Sequence, residues 1–143
     1  MIKLICGGKK NAGWVLEGIS EYEKRLRKPF DLKWEIYEEE KLDELLSKWP
    51  FSGRDYVIIC DERGKNITSP EFAEKLERSF VDGKNVVIII GGAYGFADEI
   101  RKKADFLWSF SNLVFPHMLF RIMTVEKIYR ASDILNGGKY HHA

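Results

Sequence analysis

The sequence predicts an α/β layered domain with a mostly parallel sheet flanked by helices, spanning residues 1–143 as one unit. Three observations carry this. Short apolar runs alternate along the chain with segments whose apolar residues recur at helical spacing, the order expected of parallel strands joined by crossover helices. Two of the runs, "YVIIC" and "NVVIII", are apolar almost throughout, as strands covered on both faces must be. A chain of 143 residues with 45% hydrophobic content also fits one domain that buries its core without metals or disulfides.

Each element has its own justification. "IKLIC" at 2–6 is a first strand, broken by Gly7 and Gly8. From Asn11 to Lys28, the residues Trp14, Val15, Ile19, Tyr22 and Leu26 fall on one helical stripe. "DLKWEIY" alternates Leu32, Trp34 and Ile36, as a half-buried strand does, and "KLDELLSKW" is a short helix. "YVIICD" at 56–61 is a buried strand ending in an acid. The next helix has Ser69 as its N-cap, Pro70 at its first position, and Phe72, Ala73, Leu76 and Phe80 at helical spacing. "NVVIII" at 85–90 is a further strand, "ADEIRKKA" at 97–104 a short helix and "FLWSFS" at 106–111 the last strand. A long helix over 117–135 follows, closed by Gly137 and Gly138. No repeat, low-complexity stretch or linker divides the chain.

Composition narrows the function classes. The formal net charge of +1 neither requires nor excludes a nucleic-acid partner, but basic residues cluster in "GGKK" at 7–10, "KRLRK" at 24–28 and "RKK" at 101–103. Cys6 and Cys60 sit in apolar runs with no metal or disulfide spacing, so reduced, structural thiols are expected. No His, Cys and acid cluster has metal spacing, and no metal site is expected. No apolar run is long enough to cross a membrane and the start does not read as a signal peptide; a cytoplasmic protein is the expectation.

Glycines directly after a buried strand, in "VVIIIGGAYGF", place a candidate ligand site at a strand's carboxyl end, where Gly91 and Gly92 allow close approach to the backbone. Gly91, Gly92 and Gly95 do not make a dinucleotide fingerprint, and neither a phosphate-binding P-loop nor a hydrolase nucleophile elbow occurs. A second candidate is "WSFSNLVFPHMLFR", where a strand ends in a loop and Pro116 and His117 open a helix. The third is the ending, "LNGGKYHHA". A glycine pair normally closes a helix ahead of a solvated end, yet this tail carries Tyr140 and two of the protein's three histidines.

Taken together, "CDERGKNITSPEFAEKL", "IIIGGAYGF", "FSNLVFPHMLFRIMTVEKIYRA" and the closing "YHHA" resemble the ribosomal large-subunit RNA methyltransferase H family, part of the SPOUT superfamily of knotted methyltransferases. The four motifs occur in the family's order across nearly the whole chain. The resemblance implies a sheet whose C-terminal segment threads a loop to form a trefoil knot. It implies a homodimer with its active sites at the interface. It also implies S-adenosylmethionine-dependent methylation of N3 of a pseudouridine in 23S rRNA, with the assembled ribosome as partner. The donor site implied lies on three loops: Cys60, where relatives often carry leucine; Gly91; and Phe110, Ser111, Asn112, Leu113, Val114 and Phe115.

The same resemblance gives the tail a task, reaching across the dimer into the partner's pocket. His141 is the candidate for base or substrate positioning, since an unperturbed imidazole titrates at about 6.5. Tyr140 is suited to stack on or hydrogen-bond the target base, and Arg130 to hold a phosphate or a uracil oxygen. Where relatives commonly place Lys or Arg after Tyr-His, this chain has His142. The apolar residues Met118, Leu119, Ile122, Met123 and Ile128 are the expected dimer surface. Two other readings stand beside this one: a non-catalytic ribosome-binding or assembly factor with the same fold, and a small-molecule enzyme that uses the glycine turn for a nucleotide.

Overall fold

The computed structural model describes residues 1–142. Five parallel strands form one sheet: β1 (Ile2–Gly7), β2 (Leu32–Tyr37), β3 (Asp55–Lys65), β4 (Asn85–Ile90) and β5 (Phe106–Trp108), in the order β2-β1-β4-β3-β5. The helices are α1 (Gly13–Glu23), α2 (Glu39–Ser47), α3 (Ser69–Val81), α4 (Asp98–Lys103) and α5 (His117–Leu135).

The apolar strand runs are continuous because both faces of the sheet are covered. Ile2, Leu4 and Cys6 of β1, Ile58 and Cys60 of β3, and Val86, Ile88 and Ile90 of β4 point into one core with Val15, Phe72, Leu76, Val125 and Ile128 of α1, α3 and α5. Their neighbours Ile5, Val57, Ile59, Val87 and Ile89 point into a second core with Leu42 and Leu46 of α2. The period-two alternation of a strand thus feeds two apolar layers. α5 packs along both α1 and α3 on the first face.

Several boundaries differ from those the sequence predicts; α2, for one, runs from Glu39 to Ser47 and not over 41–49. The first helix stops at Glu23 instead of reaching Lys28, since the chain turns ahead of Pro29 to bury Leu26 and Phe30. The N-cap of α3 is Thr68, not Ser69. Its hydroxyl accepts from the Glu71 N–H at 3.2 Å while the Glu71 carboxylate accepts from the Thr68 N–H at 3.1 Å, a reciprocal box that a cap at Ser69 cannot make with Glu71. The last strand ends at Trp108: the Ser109 N–H still reaches the Lys65 carbonyl of β3, but the Ser109 hydroxyl turns to the Ser111 carbonyl and the chain leaves the ladder there. β3 runs on to Lys65 through an irregularity in which both Cys60 and Lys65 register with Trp108. Residues 61–64 therefore bow out of the ladder at the carboxyl edge of the sheet.

Candidate active site

The carboxyl ends of β3, β4 and β5 open into a cavity of about 400 Å³. Three segments form it. Cys60, Asp61, Glu62 and Arg63 come from the end of β3 and its bulge; Gly91 to Phe96 come from the turn after β4; Phe110, Ser111, Leu113, Val114 and Phe115 come from the loop after β5. The first turn of α5 closes the wall with His117 and Phe120. One side is aromatic: Trp108 stacks on Phe72 at 4.1 Å between centroids, Phe110 stands edge-on to Trp108 at 4.5 Å, and Phe110 stacks on Phe120 at 4.3 Å. These rings give this side of the cavity an apolar, aromatic lining. Leu113 and Val114 are 70% and 80% exposed, so the loop after β5 presents apolar side chains to whatever enters.

The other side is polar. Asp61 is nearly buried and faces Arg101 at 3.9 Å. Arg101 also pairs with Asp98 and donates to the Phe96 carbonyl, so one guanidinium ties the bulge, α4 and the glycine turn together. Cys60 lies at the floor; burial pushes its thiol well above the ordinary thiol range, helped by the neighbouring Cys6 and Asp61. Cys6 is likewise pushed up to about 12 by burial, against an opposing pull from Arg121. Both thiols are free and protonated, so neither serves as a nucleophile.

The glycine turn is tighter than close ligand approach alone requires. A Cβ on Gly91 would lie 2.9 Å from the Phe96 ring, and one on Gly92 would run into the Glu39 carboxylate, which accepts from the Ala93 N–H at 2.6 Å. The side-chain direction at Gly91 is thus filled by protein. Glycine at 91 lets Phe96 fold back under the turn, a packing requirement that stands beside the close backbone approach expected at this position.

The tail forms a second cluster, on the last turns of α5. The Glu126 carboxylate accepts from Arg130 Nε at 2.9 Å, from Arg130 Nη2 at 2.7 Å and from the Tyr140 hydroxyl at 3.1 Å. The Tyr140 N–H donates to Asp133 at 2.9 Å, and its ring stands edge-on to Tyr129 and under the Arg130 guanidinium. Burial, together with the Glu126 charge, raises the Tyr140 phenol to about 12, so it remains a donor at working pH. Burial alone would raise Glu126, but hydrogen bonds from Arg130 and Lys127 outweigh it and hold the carboxyl below its usual range. Arg130 Nη1 lies 3.0 Å from His141 Nδ1. A guanidinium only donates, so Nδ1 accepts and the imidazole proton sits on Nε2. In this arrangement His141 offers an N–H, and acting as a base requires the Arg130 contact to open.

Residues 1–141 match the family model described as "Predicted SPOUT methyltransferase". The chain belongs to the SPOUT methyltransferase family. It is 40% identical to a protein of Caldicellulosiruptor saccharolyticus named Ribosomal RNA large subunit methyltransferase H, covering 99% of each chain. Proteins of the same name from Desulfitobacterium hafniense and Parabacteroides distasonis are 38% and 37% identical, covering 98% and 99% of this chain and 98% of their own. A solved structure of a probable methylase family protein from Haemophilus influenzae Rd KW20 aligns over 99% of this chain and 70% of its own, with a TM-score of 0.58 at 14% identity, a likeness of fold alone.

Within this SPOUT chain the residues singled out from sequence divide into two groups. Cys60, Gly91, Phe110, Ser111, Leu113, Val114 and Phe115 line the cavity; Asn112, in the same loop, does not. Arg130, Tyr140 and His141 are brought together, but none of them lines the cavity of their own chain. Asp61, Glu62, Arg63, Trp108, His117 and Phe120 also line it, although the sequence motifs do not assign them there. The acids directly after Cys60 are a usable signal, since they stand at a strand's carboxyl end. Glu126 escapes sequence reasoning as well, although it lies one helical turn before Arg130. Among the described residues, no group of three or more His, Cys, Asp or Glu is placed to hold a metal ion, and no helix is long and apolar enough to cross a membrane.

Proposed function

We propose that this protein transfers a methyl group from S-adenosylmethionine to N3 of a pseudouridine in 23S rRNA of the assembled ribosome, and does so as a homodimer in the cytoplasm. The observation that carries the reading is the cavity at the ends of β3, β4 and β5, formed by the three loops that the family resemblance assigns to the donor. Relatives named for methylation of large-subunit ribosomal RNA, at 37–40% identity over nearly the whole chain, support the substrate class. The position on the nucleotide, the ribosomal context and a trefoil knot threaded by the C-terminal segment rest on the motif resemblance.

The cavity fits the donor. Its volume is that of a small-molecule site. The wall of Trp108, Phe110 and Phe120 suits an adenine ring, and the carboxylates of Asp61 and Glu62 suit the positive end of the molecule. When bound, the donor supplies an activated methyl group. The chain's own residues then have to align the acceptor base and handle the N3 proton. Tyr140 offers a ring face and a phenolic O–H. His141 takes the N3 proton on Nδ1 once its contact with Arg130 opens, and the released guanidinium adds positive charge where the ring becomes anionic.

The dimer is supported by the separation of the two clusters. A site uniting cavity and tail forms if α5 of one subunit, with its tail docked, faces the cavity of another. Leu119 is 41% exposed and Met118, Ile122 and Met123 are partly exposed, which leaves them available to a partner. Ile128 is fully buried in the core and is not available, contrary to the expectation from sequence.

The test is transfer from labelled S-adenosylmethionine to ribosomes lacking the modification, with the product nucleotide identified by mass spectrometry. Methylated pseudouridine is expected; ribosome binding without donor binding would instead identify a non-catalytic factor. Cross-subunit completion is tested by mixing subunits truncated after Gly138 with subunits disabled at Gly91. One working site should return in the mixed dimer, and a mixture as inactive as both folded, dimeric parents rules out completion in trans.

A further inference from the structure

Arg121 is the largest side chain with no solvent exposure, and the proposed methyl transfer gives it no task. Among the described residues, no carboxylate pairs with it. Nη1 donates to the Lys9 carbonyl at 2.8 Å and to Asn11 Oδ1 at 2.8 Å, and Nη2 donates to the Gly7 carbonyl at 3.1 Å. The three acceptors lie at the last residue of β1 and in the connection from β1 to α1, more than a hundred positions away in sequence. Nε has no acceptor. A buried guanidinium without a counter-ion is a costly way to fill space. Its planar fork accounts for its presence, because it collects oxygens from three residues of one loop and fixes that loop's shape.

The loop so fixed is the basic "GGKK" segment. Gly8 adopts φ +115°, which favours glycine, and its N–H is tied to the Tyr37 carbonyl at 2.8 Å. With the loop anchored from below, Lys9 and Lys10 are exposed, and neither takes part in an ion pair among the described residues. The loop is also next to the cavity. A Cβ on Gly8 would lie 3.7 Å from His117 Nε2 and 3.6 Å from Arg121 Nη2, and His117 is a cavity wall residue. His117 and Arg121 are one turn apart on α5, so the same helical face borders the cavity and grips the loop.

We propose that Lys9 and Lys10 contact phosphates of the rRNA substrate at the rim of the donor cavity, and that Arg121 is the positioning residue that holds them there. This rests on the reading that the substrate is rRNA. Phosphate contacts set the register of a nucleic acid on a protein without reading its sequence. A rigid loop with two unpaired ammonium groups beside the reaction cavity supplies that register close to the target nucleotide.

The experiment compares the full chain with Lys9→Ala/Lys10→Ala and with Arg121→Met, using ribosomes that lack the modification. The double lysine variant should lose its efficiency in KM for ribosomes and not in kcat, with S-adenosylmethionine affinity by calorimetry unchanged. Each lost phosphate contact lowers the slope of log affinity against log salt by about 0.7–0.9. Between 50 and 200 mM salt, the advantage of the native chain should therefore shrink by roughly tenfold. Arg121→Met should move KM and the salt slope in the same direction, with Arg121→Lys intermediate. If the native chain methylates ribosomes but the lysine variant keeps its KM and salt slope, this inference is overturned and the functional reading stands. If the native chain neither methylates nor binds ribosomes, both fall. Because Lys9 and Lys10 are exposed, the double variant decides the matter even if Arg121→Met does not fold.

Discussion

Glu126 is the residue on which the docked tail depends, and replacing it should separate donor binding from catalysis. One of its oxygens takes two bonds from Arg130 and one from Tyr140, and the other oxygen lies 3.1 Å from Lys127 Nζ. Hydrogen bonds to a charged partner contribute about 1.5–3 kcal/mol each, but three sharing one oxygen do not add. Arg130 keeps its contact with His141 and is 23% exposed, so water replaces part of what is lost. Glu126→Ala should therefore cost about 2–3 kcal/mol in urea unfolding, and Glu126→Gln, which keeps an acceptor, about 1 kcal/mol. In a double-mutant cycle, Glu126→Ala and Tyr140→Phe should couple by about 1 kcal/mol, because each removes the same bond. Methyl transfer should fall steeply in Glu126→Ala while donor affinity is retained, since Glu126 does not line the cavity. The carboxyl is held below its usual range, so its contribution is fully present above the unfolded-state pKa of about 4.5 and is lost as pH falls through the lower folded value. A coupling of zero within about 0.3 kcal/mol, or full activity in Glu126→Ala, would show that the tail does not need this anchor.

Three further outcomes are expected. Gly91→Val should abolish S-adenosylmethionine binding in calorimetry by pushing the Phe96 ring out from under the turn; native affinity with a native circular dichroism spectrum would place the donor elsewhere. Ultraviolet titration should show a phenol ionising near 12 that disappears in Tyr140→Phe; its stabilising effect is present below about 10 and lost as pH rises towards 12. Cys6 and Cys60 should resist alkylation in the folded protein and react on unfolding, so rapid labelling of either under native conditions would contradict the burial described for them.

The layered fold was legible because strands buried on both faces must be apolar, and "YVIIC" and "NVVIII" admit few other readings. Strand order was not, since β4 lies between β1 and β3 through contacts that no local pattern encodes. The cavity loops were found by their place after strands and by the family motifs. The bulge at 61–64 was not, because it arises from the register of β3 against β5 and not from its own composition. The glycine pair after β4 marks Gly91 in the sequence, but that its Cβ direction is filled by Phe96 depends on packing no local pattern encodes. Arg130, Tyr140 and His141 were assigned together from the motifs; that they meet through Glu126 is a tertiary fact, since the tail must first turn at Gly137, φ +72°, and fold back.

One element governs all of these features. The first turn of α5 puts His117 and Phe120 in the cavity wall, the second puts Arg121 under the basic loop, and the helix from its middle onward carries Glu126, Arg130 and Asp133, which dock the tail. A rigid helix fixes the spacing between these groups, but not where the set sits over the sheet. That is settled by Thr124, Val125, Ile128, Ala131 and Ser132, buried along the face that packs on α1 and α3. The residues that set the geometry of the site are thus core residues with no chemistry of their own. Gly18 of α1 belongs with them, because a Cβ there would lie 2.8 Å from Ile122 Cδ1, so glycine is what lets the Ile122 side chain pack this closely on α1.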